Sequence, residues 1–196
     1  MKNCIGLLGL TVLCALPQAA QAQTVTPPIV PPGFGLEVDP PDHAFLLGHA
    51  TGFQNYECQP VGPSGSGRVD WVLFTPQATL FDEQNEQIIT HFNSPNPIEA
   101  ARTLRATWQD SADTSSVWAR AVASATVDPD AIAWVKLVAV GTRVGPTGGT
   151  TLSDTTFVQR VNTRGGLAPK TGCDQLPDVG KRAFMPYSAD YFFYKK

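Results

Sequence analysis

From His43 to the end of the chain, short apolar stretches alternate with polar residues at a period of two. Such alternation is typical of strands with one buried face, and turn residues interrupt it about every 8 to 12 residues. Strong turn signals lie at residues 62–67, 82–86, 128–130, 145–149 and 164–166. The pattern predicts an all-β fold, an antiparallel β-sandwich or β-barrel with at most one short helix.

Two glycines stand inside the first strand pattern. Residues 44–50 and 53–59 are predicted as successive strands; Gly48 lies within the first of them, and Gly52 lies between the two. Glycine within a strand pattern indicates a bulge or a close approach of two backbones, and this is how a strand bends at a barrel corner.

One helix is predicted, over residues 97–105. Pro97 suits a first helical position, and Glu99, Ala100 and Ala101 are good helix formers. The last predicted strand, residues 189–194, has aromatic residues on both faces. It is therefore expected to be central, or to be an edge covered by another element.

The N-terminal residues predict export. Residues 1–22 combine the positive Lys2, a short apolar run and a small-x-small cleavage site at residues 20–22, which together are typical of a secretory signal peptide. We therefore expect a periplasmic or secreted protein; lipid attachment at Cys14 is the less favoured alternative, because the residue before it is bulky.

A proline-rich segment follows the predicted signal peptide. Residues 23–42 carry too many prolines for a helix or a paired strand and are predicted as an extended arm. The arm either spaces the domain from a partner or lies along its surface, and the second is the commoner arrangement. Residues 43–196 are predicted as one β domain.

Cysteine usage agrees with export. Removal of residues 1–22 takes away Cys4 and Cys14, so that two of the four cysteines remain. In an oxidising compartment Cys58 and Cys173 are expected to form a disulfide; two buried free thiols are the alternative. In the ideal chain-entropy treatment, a crosslink closing so long a loop contributes about 4 to 5 kcal/mol.

Charge excludes some partners. The formal net charge is −3, and lysine and arginine form no continuous run. A nucleic acid is therefore not expected as a partner. No second long apolar stretch follows residues 1–22, so no membrane span is predicted. The oligomeric state stays open.

Four segments of the sequence resemble a known family. They are LGHATGFQNYEC at residues 47–58, ATLFD at 78–82, QRVNT followed by two glycines and a proline at 159–169, and PYSADYFFY at 186–194. They resemble domain-of-unknown-function family 3455, secreted proteins of bacteria and fungi, some of which carry a malate dehydrogenase label. This chain has no Gly-x-Gly-x-x-Gly turn and no βαβ alternation for a nicotinamide cofactor. The resemblance thus supports the fold and provides no established catalytic residues to transfer, and the cofactor stays unknown.

The three histidines provide one candidate site. His43, His49 and His91 lie in the N-terminal half, near Asp42 and Glu57, and their convergence would make a copper or zinc site. The favoured alternative is structural: His49 is hydrogen-bonded beside the core, and His43 is a surface residue.

A polar loop between two tryptophans provides the second candidate site. Aromatic platforms with fixed polar groups suit a sugar or another small polar ligand, although two core tryptophans and an ordinary turn would give the same sequence. Its candidate ligand-binding residues are Trp108, Gln109, Asp110, Asp113, Ser115 and Trp118.

A third candidate is the pair Arg160 and Asn162. Strict alternation puts both residues on one strand face with Val158, where they would suit a carboxylate. The alternative is a surface arginine before a turn that needs Gly165 and Gly166.

Two function classes follow. The first is a non-catalytic binding module for an extracellular polymer, such as a polysaccharide, or for a small polar ligand. The second is a metal-dependent extracellular enzyme that uses the histidine cluster.

Overall fold

The computed structural model describes residues 25–196. The predicted signal peptide, with Cys4 and Cys14, lies outside these residues. The described chain consists of eight strands and one short 3-10 turn at Leu176–Asp178. The strands are β1 (His43–Pro60), β2 (Val69–Phe81), β3 (Gln87–Pro95), β4 (Leu104–Asp110), β5 (Ser116–Ala125), β6 (Trp134–Arg143), β7 (Phe157–Gly165) and β8 (Arg182–Lys195).

The strands close into an antiparallel barrel. Each strand pairs with the next along the chain, and β8 pairs with β1 over most of its length. The prediction of an all-β fold is confirmed, and of its two forms the barrel is the one observed. Within residues 25–196, no helix has the length and apolar composition needed to cross a bilayer.

The two glycines of β1 allow the close packing that their position indicated. The predicted strands 44–50 and 53–59 are one continuous strand, β1. A Cβ atom on Gly52 would lie 2.1 Å from the carbonyl oxygen of Gln77, and one on Gly48 would lie 2.9 Å from the side chain of Leu80. Any side chain at Gly52 would therefore push β2 away from β1.

The prediction of a helix over residues 97–105 is wrong. Asn96 donates its backbone N–H to the carbonyl of Thr103, and Arg102 donates to Glu99, so the segment folds as turns. Arg102 has a φ of 47°, a left-handed conformation that a helix does not continue through. The helix-forming residues are thus used in a connection between β3 and β4, and the strand pairing overrides their local preference.

Apolar residues are buried on both faces of the barrel wall. The inner core includes Leu80, Ile89, Val117, Val158 and Phe193. A smaller outer core joins Val161, Phe192 and Tyr194 to Val25, Val30 and Val38 of the N-terminal segment. Residues 189–194 of β8 therefore have neighbours on both faces, as their aromatic pattern indicated, and β8 lies between β1 and β7.

The described part of the predicted arm, residues 25–42, contains neither helix nor strand. Leu36 is fully buried, and its carbonyl accepts a hydrogen bond of 2.8 Å from Gln159 Nε2. The carbonyl of Glu37 accepts a bond of 2.7 Å from Lys136 Nζ. These contacts hold the segment against the outer face of β6 and β7.

A disulfide joins the first strand to the last long loop. Cys58 and Cys173 are bonded, with a Cα–Cα distance of 5.4 Å and a sequence separation of 115 residues. Backbone hydrogen bonds between Cys58 and residues Gly180 and Lys181 hold the same loop. The predicted disulfide is confirmed.

Candidate functional site

The barrel lumen contains a cavity of about 190 Å³. Every strand contributes at least one lining residue. Two of the lining residues, Leu73 and Ala121, are exposed. The cavity therefore reaches solvent on their side of the barrel. Its polar and aromatic lining residues are Gln54, His91, Asn93, Trp108, Arg160 and Tyr191.

His91 and Trp108 form an aromatic pair in the cavity wall. They are opposite each other in the register of β3 and β4, and their rings stack with centroids 4.3 Å apart and planes within 5°. His91 Nδ1 donates to the carbonyl of Thr107 at 2.9 Å. Burial lowers the pKa of His91 to about 3, against this hydrogen bond and aided by the positive charge of Arg160. His91 is thus uncharged at neutral pH.

Arg160 brings a positive charge to the lumen. It lies opposite Tyr191 in the register of β7 and β8, and its Nε and Nη2 atoms donate to the carbonyl of Ala133 at 3.2 and 2.8 Å. No acidic residue lines the cavity, and no carboxylate of residues 25–196 forms an ion pair with Arg160. Since His91 is neutral, Arg160 carries the one formal charge in the lining.

Two buried donors in the lining have no partner within the protein. They are Gln54 Nε2 and Trp108 Nε1, and the side chains of both residues are almost completely buried. In the described part of the chain only two other buried side-chain polar atoms are unpartnered, Asn55 Oδ1 and Thr155 Oγ1. Because buried polar groups are nearly always hydrogen-bonded, two unpartnered donors in one cavity wall make the cavity a candidate binding site.

Two tyrosine hydroxyls meet at the inner wall. Tyr187 and Tyr191 lie on the inner face of β8, with their hydroxyl oxygens 3.2 Å apart. Burial, together with the neighbouring Tyr191, raises the pKa of Tyr187 well above its usual value. The hydroxyl of Tyr187 therefore keeps its proton, and Tyr191 extends the polar part of the cavity wall.

The two tryptophans that flank the polar loop lie on opposite faces of the barrel wall. Trp108 is paired with Val117 and faces the lumen, whereas Trp118 is paired with Thr107 and faces outward. Trp118 Nε1 donates to Ser94 Oγ at 2.9 Å. Because adjacent residues of a strand point to opposite faces, these two rings do not form a common groove.

The polar side chains of that loop bind its own backbone. Asp110 Oδ1 accepts from the N–H groups of Ala112 and Asp113, and the carboxylate of Asp113 accepts from Ser115 and Thr151. Burial opposes the ionised form of Asp113, but these hydrogen bonds outweigh it and lower its pKa below the usual value. Ser115 Oγ accepts from Leu152, and Gln109 bonds the adjoining Ser116. These contacts fix the turn.

The three histidines have separate environments. His91 lies in the lumen, His49 lines a groove of about 610 Å³ on the outer face of the barrel, and His43 is exposed at the start of β1. Within residues 25–196 no group of three or more histidine, cysteine or acidic side chains is arranged to hold a metal ion.

His49 belongs to a polar chain in the outer groove. Its Nδ1 donates to Asp190 at 2.7 Å, its Nε2 lies 3.3 Å from Glu83, and Asp190 accepts a further bond of 2.8 Å from Asn162. Burial lowers the pKa of His49, but the bonds and charges of Asp190 and Glu83 outweigh this and raise it.

The predicted pair Arg160 and Asn162 is split between the two sides of the wall. Arg160 lines the lumen, whereas Asn162 lines the outer groove. The register of β7 and β8 shifts between Val161 and Arg164, and Asn162 has a φ of 51°. This bulge reverses the alternation on which the prediction relied.

The profile of a family described as Protein of unknown function (DUF3455) matches residues 40–195. The chain belongs to this family. The resemblance inferred from the four sequence segments is thereby confirmed. No curated protein and no solved structure gives a significant match to this DUF3455 chain.

Sequence reasoning on this DUF3455 chain missed several lumen residues. Gln54 lies within the segment LGHATGFQNYEC, and Tyr191 lies within PYSADYFFY. Asn93 was also missed; its Nδ2 donates to the carbonyl of Phe74 at 3.2 Å. The available signal was a polar residue at an inward position of a strand, and this signal requires knowing which face is inward.

Proposed function

We propose that this DUF3455 protein is an exported, non-catalytic binding module that holds a small organic molecule in the lumen of its barrel. The observation that carries the proposal is the pair of unpartnered buried donors, Gln54 Nε2 and Trp108 Nε1, in the wall of one cavity. Export rests on the sequence of residues 1–22. Eight-stranded barrels have an interior wide enough for one small ligand.

The size of the cavity limits the ligand. An apolar cavity of about 150 Å³ accommodates benzene. A cavity of about 190 Å³ therefore fits one ring, or a short chain, with one polar substituent. A polymer does not fit in the lumen, and of the two kinds of ligand expected from the sequence the small one suits this site.

The lining supports binding rather than hydrolysis. Hydrolysis by paired carboxylates needs two acidic groups at the scissile bond, and no lining residue is acidic. His91 is stacked on Trp108, with its Nδ1 on a backbone carbonyl, so it acts as part of the wall. A few fixed polar groups among apolar residues are typical of sites that orient a ligand.

The test is a variant that blocks the mouth of the cavity. Fragment-sized organic molecules are screened by ligand-observed NMR, and hits are confirmed by the rise in unfolding temperature that a bound ligand causes. Ala121→Phe places a ring at the exposed end of the cavity, and we expect it to weaken every lumen ligand by about tenfold or more.

Val122→Phe is the matched control. Val122 adjoins Ala121, is 45 % exposed and does not line the cavity, so the added ring should leave binding unchanged. A hit that Ala121→Phe and Val122→Phe affect equally would place the binding site elsewhere. A screen that yields no hit on the folded protein would refute the proposal.

Polysaccharide binding at the outer groove is a second candidate. The groove contains the half-buried ring of Trp134 beside Asp190, Asn162 and Arg164, and aromatic rings with fixed polar groups suit sugars. Trp134→Ala should abolish retention of the protein on polysaccharide, whereas Trp71→Ala, outside the groove, should not. Equal retention of the two variants would argue against this candidate.

A further inference from the structure

Arg160 places an uncompensated positive charge beside a cavity with a mainly apolar and aromatic lining. Its guanidinium is part-buried, is bonded through Nε and Nη2 to one backbone carbonyl, and has no acidic partner in residues 25–196. A charge drawn into the protein without a counter-charge is costly. A guanidinium has five N–H donors, so several remain for a ligand.

The remaining polar groups of the wall include both hydrogen-bond donors and acceptors. The unpartnered atoms in the lining are both N–H donors, Gln54 Nε2 and Trp108 Nε1. Asn93 already directs its amide to a backbone carbonyl, and His91 does the same with Nδ1. His91 Nε2 and the side-chain oxygens of Gln54 and Asn93 remain as acceptors. The positive charge of Arg160, rather than the number of donors, is therefore what favours an anionic ligand.

From this arrangement we infer that the lumen ligand is a small organic acid whose carboxylate binds Arg160, with Gln54 and Trp108 as further donors. The inference rests on the proposed function, since it names the class of molecule that the same cavity holds. A planar guanidinium matches a carboxylate with two parallel hydrogen bonds, which are stronger than bonds between neutral groups.

The rest of the lining limits the size and polarity of the nonpolar part of this acid. It is formed by the apolar side chains of Leu73, Ala106, Val135 and Leu137, with the aromatic rings of Trp108 and Tyr191. The cavity, of about 190 Å³, accommodates one ring or a short hydrocarbon chain besides the carboxylate. Benzoate, phenylacetate, cyclohexanecarboxylate and hexanoate are acids of this size.

The experiment compares each of these four acids with its primary amide. An amide has nearly the same shape and keeps one acceptor oxygen but lacks the charge. Dissociation constants are measured by isothermal titration calorimetry at neutral pH on the folded protein. We expect at least one acid to bind about tenfold more tightly than its amide, the factor that one charge-assisted hydrogen bond supplies.

Arg160→Gln removes the positive charge. The variant should bind the acid only as tightly as it binds the amide, and its affinity for the amide should differ little from that of the wild type. Arg68→Gln is the matched control, because Arg68 is an exposed arginine in the turn before β2 and does not line the cavity. It should leave the ratio of acid to amide unchanged.

The outcomes separate this inference from the proposed function. If acids and amides bind wild-type protein equally and Ala121→Phe blocks both, the lumen is a ligand site but the ligand class is wrong. If neither class binds wild-type protein, both the site and the acid are refuted. Because the comparison of acid with amide is made on the wild-type protein, it holds even if Arg160→Gln fails to fold.

Discussion

On the outer face of the barrel, His49 donates a hydrogen bond to Asp190, which also accepts one from Asn162. On the inner face, by contrast, the side-chain N–H groups of Gln54 and Trp108 have no acceptor within the protein. The loop between β4 and β5 resembles the outer face, since the carboxylate of Asp113 accepts two backbone N–H groups. The polar groups of this outer chain and of the loop are thus satisfied, whereas these two donors on the inside are not.

This contrast identifies which polar residues stabilise the fold and which are available for a ligand. Removing a satisfied group leaves its former partner unpaired and costs stability. Removing an unsatisfied buried donor takes away a desolvation penalty. Satisfied and unsatisfied groups should therefore respond in opposite ways to substitution, and measurements of stability test this.

The largest expected effect is the dependence of stability on pH through the inner histidine. The pKa of His91 is about 3 in the folded protein, below its ordinary value of 6.5. As pH falls from 6.5 towards 3, the imidazole of His91 is therefore protonated in the unfolded chain but not in the folded chain. Each pH unit in this window costs about 1.4 kcal/mol of unfolding free energy. We expect His91→Phe to remove this slope in urea unfolding measured from neutral pH to about pH 4.

The outer histidine, His49, should give a pH dependence of stability of the opposite sign, and it serves as the control. The pKa of His49 is raised, so its contribution is fully present below pH 6.5 and is lost as pH rises through the folded value. His49→Gln should change stability on the acid side of that titration only. If the pH profile of His91→Phe ran parallel to that of the wild type, His91 would not be the buried neutral group described above.

A smaller effect is expected in the loop, at a satisfied group. Asp113→Ala leaves the N–H groups of Ser115 and Thr151 without their acceptor. We expect the free energy of unfolding to fall by about 2 kcal/mol, with no loss of lumen ligand binding. Asp154→Ala, in the exposed turn after Thr151, is the comparison and should have little effect. A neutral result for Asp113→Ala would show that the contrast between satisfied and unsatisfied groups does not govern stability.

The smallest effect on stability is expected at Gln54. Gln54→Leu replaces an amide of similar size whose Nε2 has no partner, so the free energy of unfolding should stay within about 1 kcal/mol of the wild type or rise. Binding of a lumen ligand should weaken at the same time. Gln159→Leu is the matched control: its Nε2 donates to Leu36 and its Oε1 accepts from Tyr194, so it should lose stability. Equal losses in the two variants would contradict a ligand-binding role for Gln54.

Several particulars could be read from the sequence because they depend on local pattern. Period-two alternation indicated strands, and Gly165 and Gly166 do adopt positive φ at the end of β7 and just beyond it, as their position in a turn predicted. The paired cysteines followed from an even count after the predicted cleavage. The helix over residues 97–105 failed because the preferences of Pro97 and Glu99 are weak compared with the demands of joining β3 to β4.

The candidate site was harder to predict. Trp108 and Arg160 were both named from the sequence, but as members of separate clusters, with Trp118 and with Asn162. The structure pairs Trp108 with His91 and Arg160 with Tyr191. Neighbours across a barrel are set by the register of strands distant in sequence, and one bulge after Val161 was enough to send Asn162 to the other face.

The amino-acid sequence alone determined that this chain forms antiparallel strands, because alternation and turn residues act over a few positions at a time. Closure of β8 onto β1 decided which face of each strand is the interior. Only that closure brings Arg160, Gln54 and Trp108 around one cavity, since an inside exists only once the last strand has paired with the first.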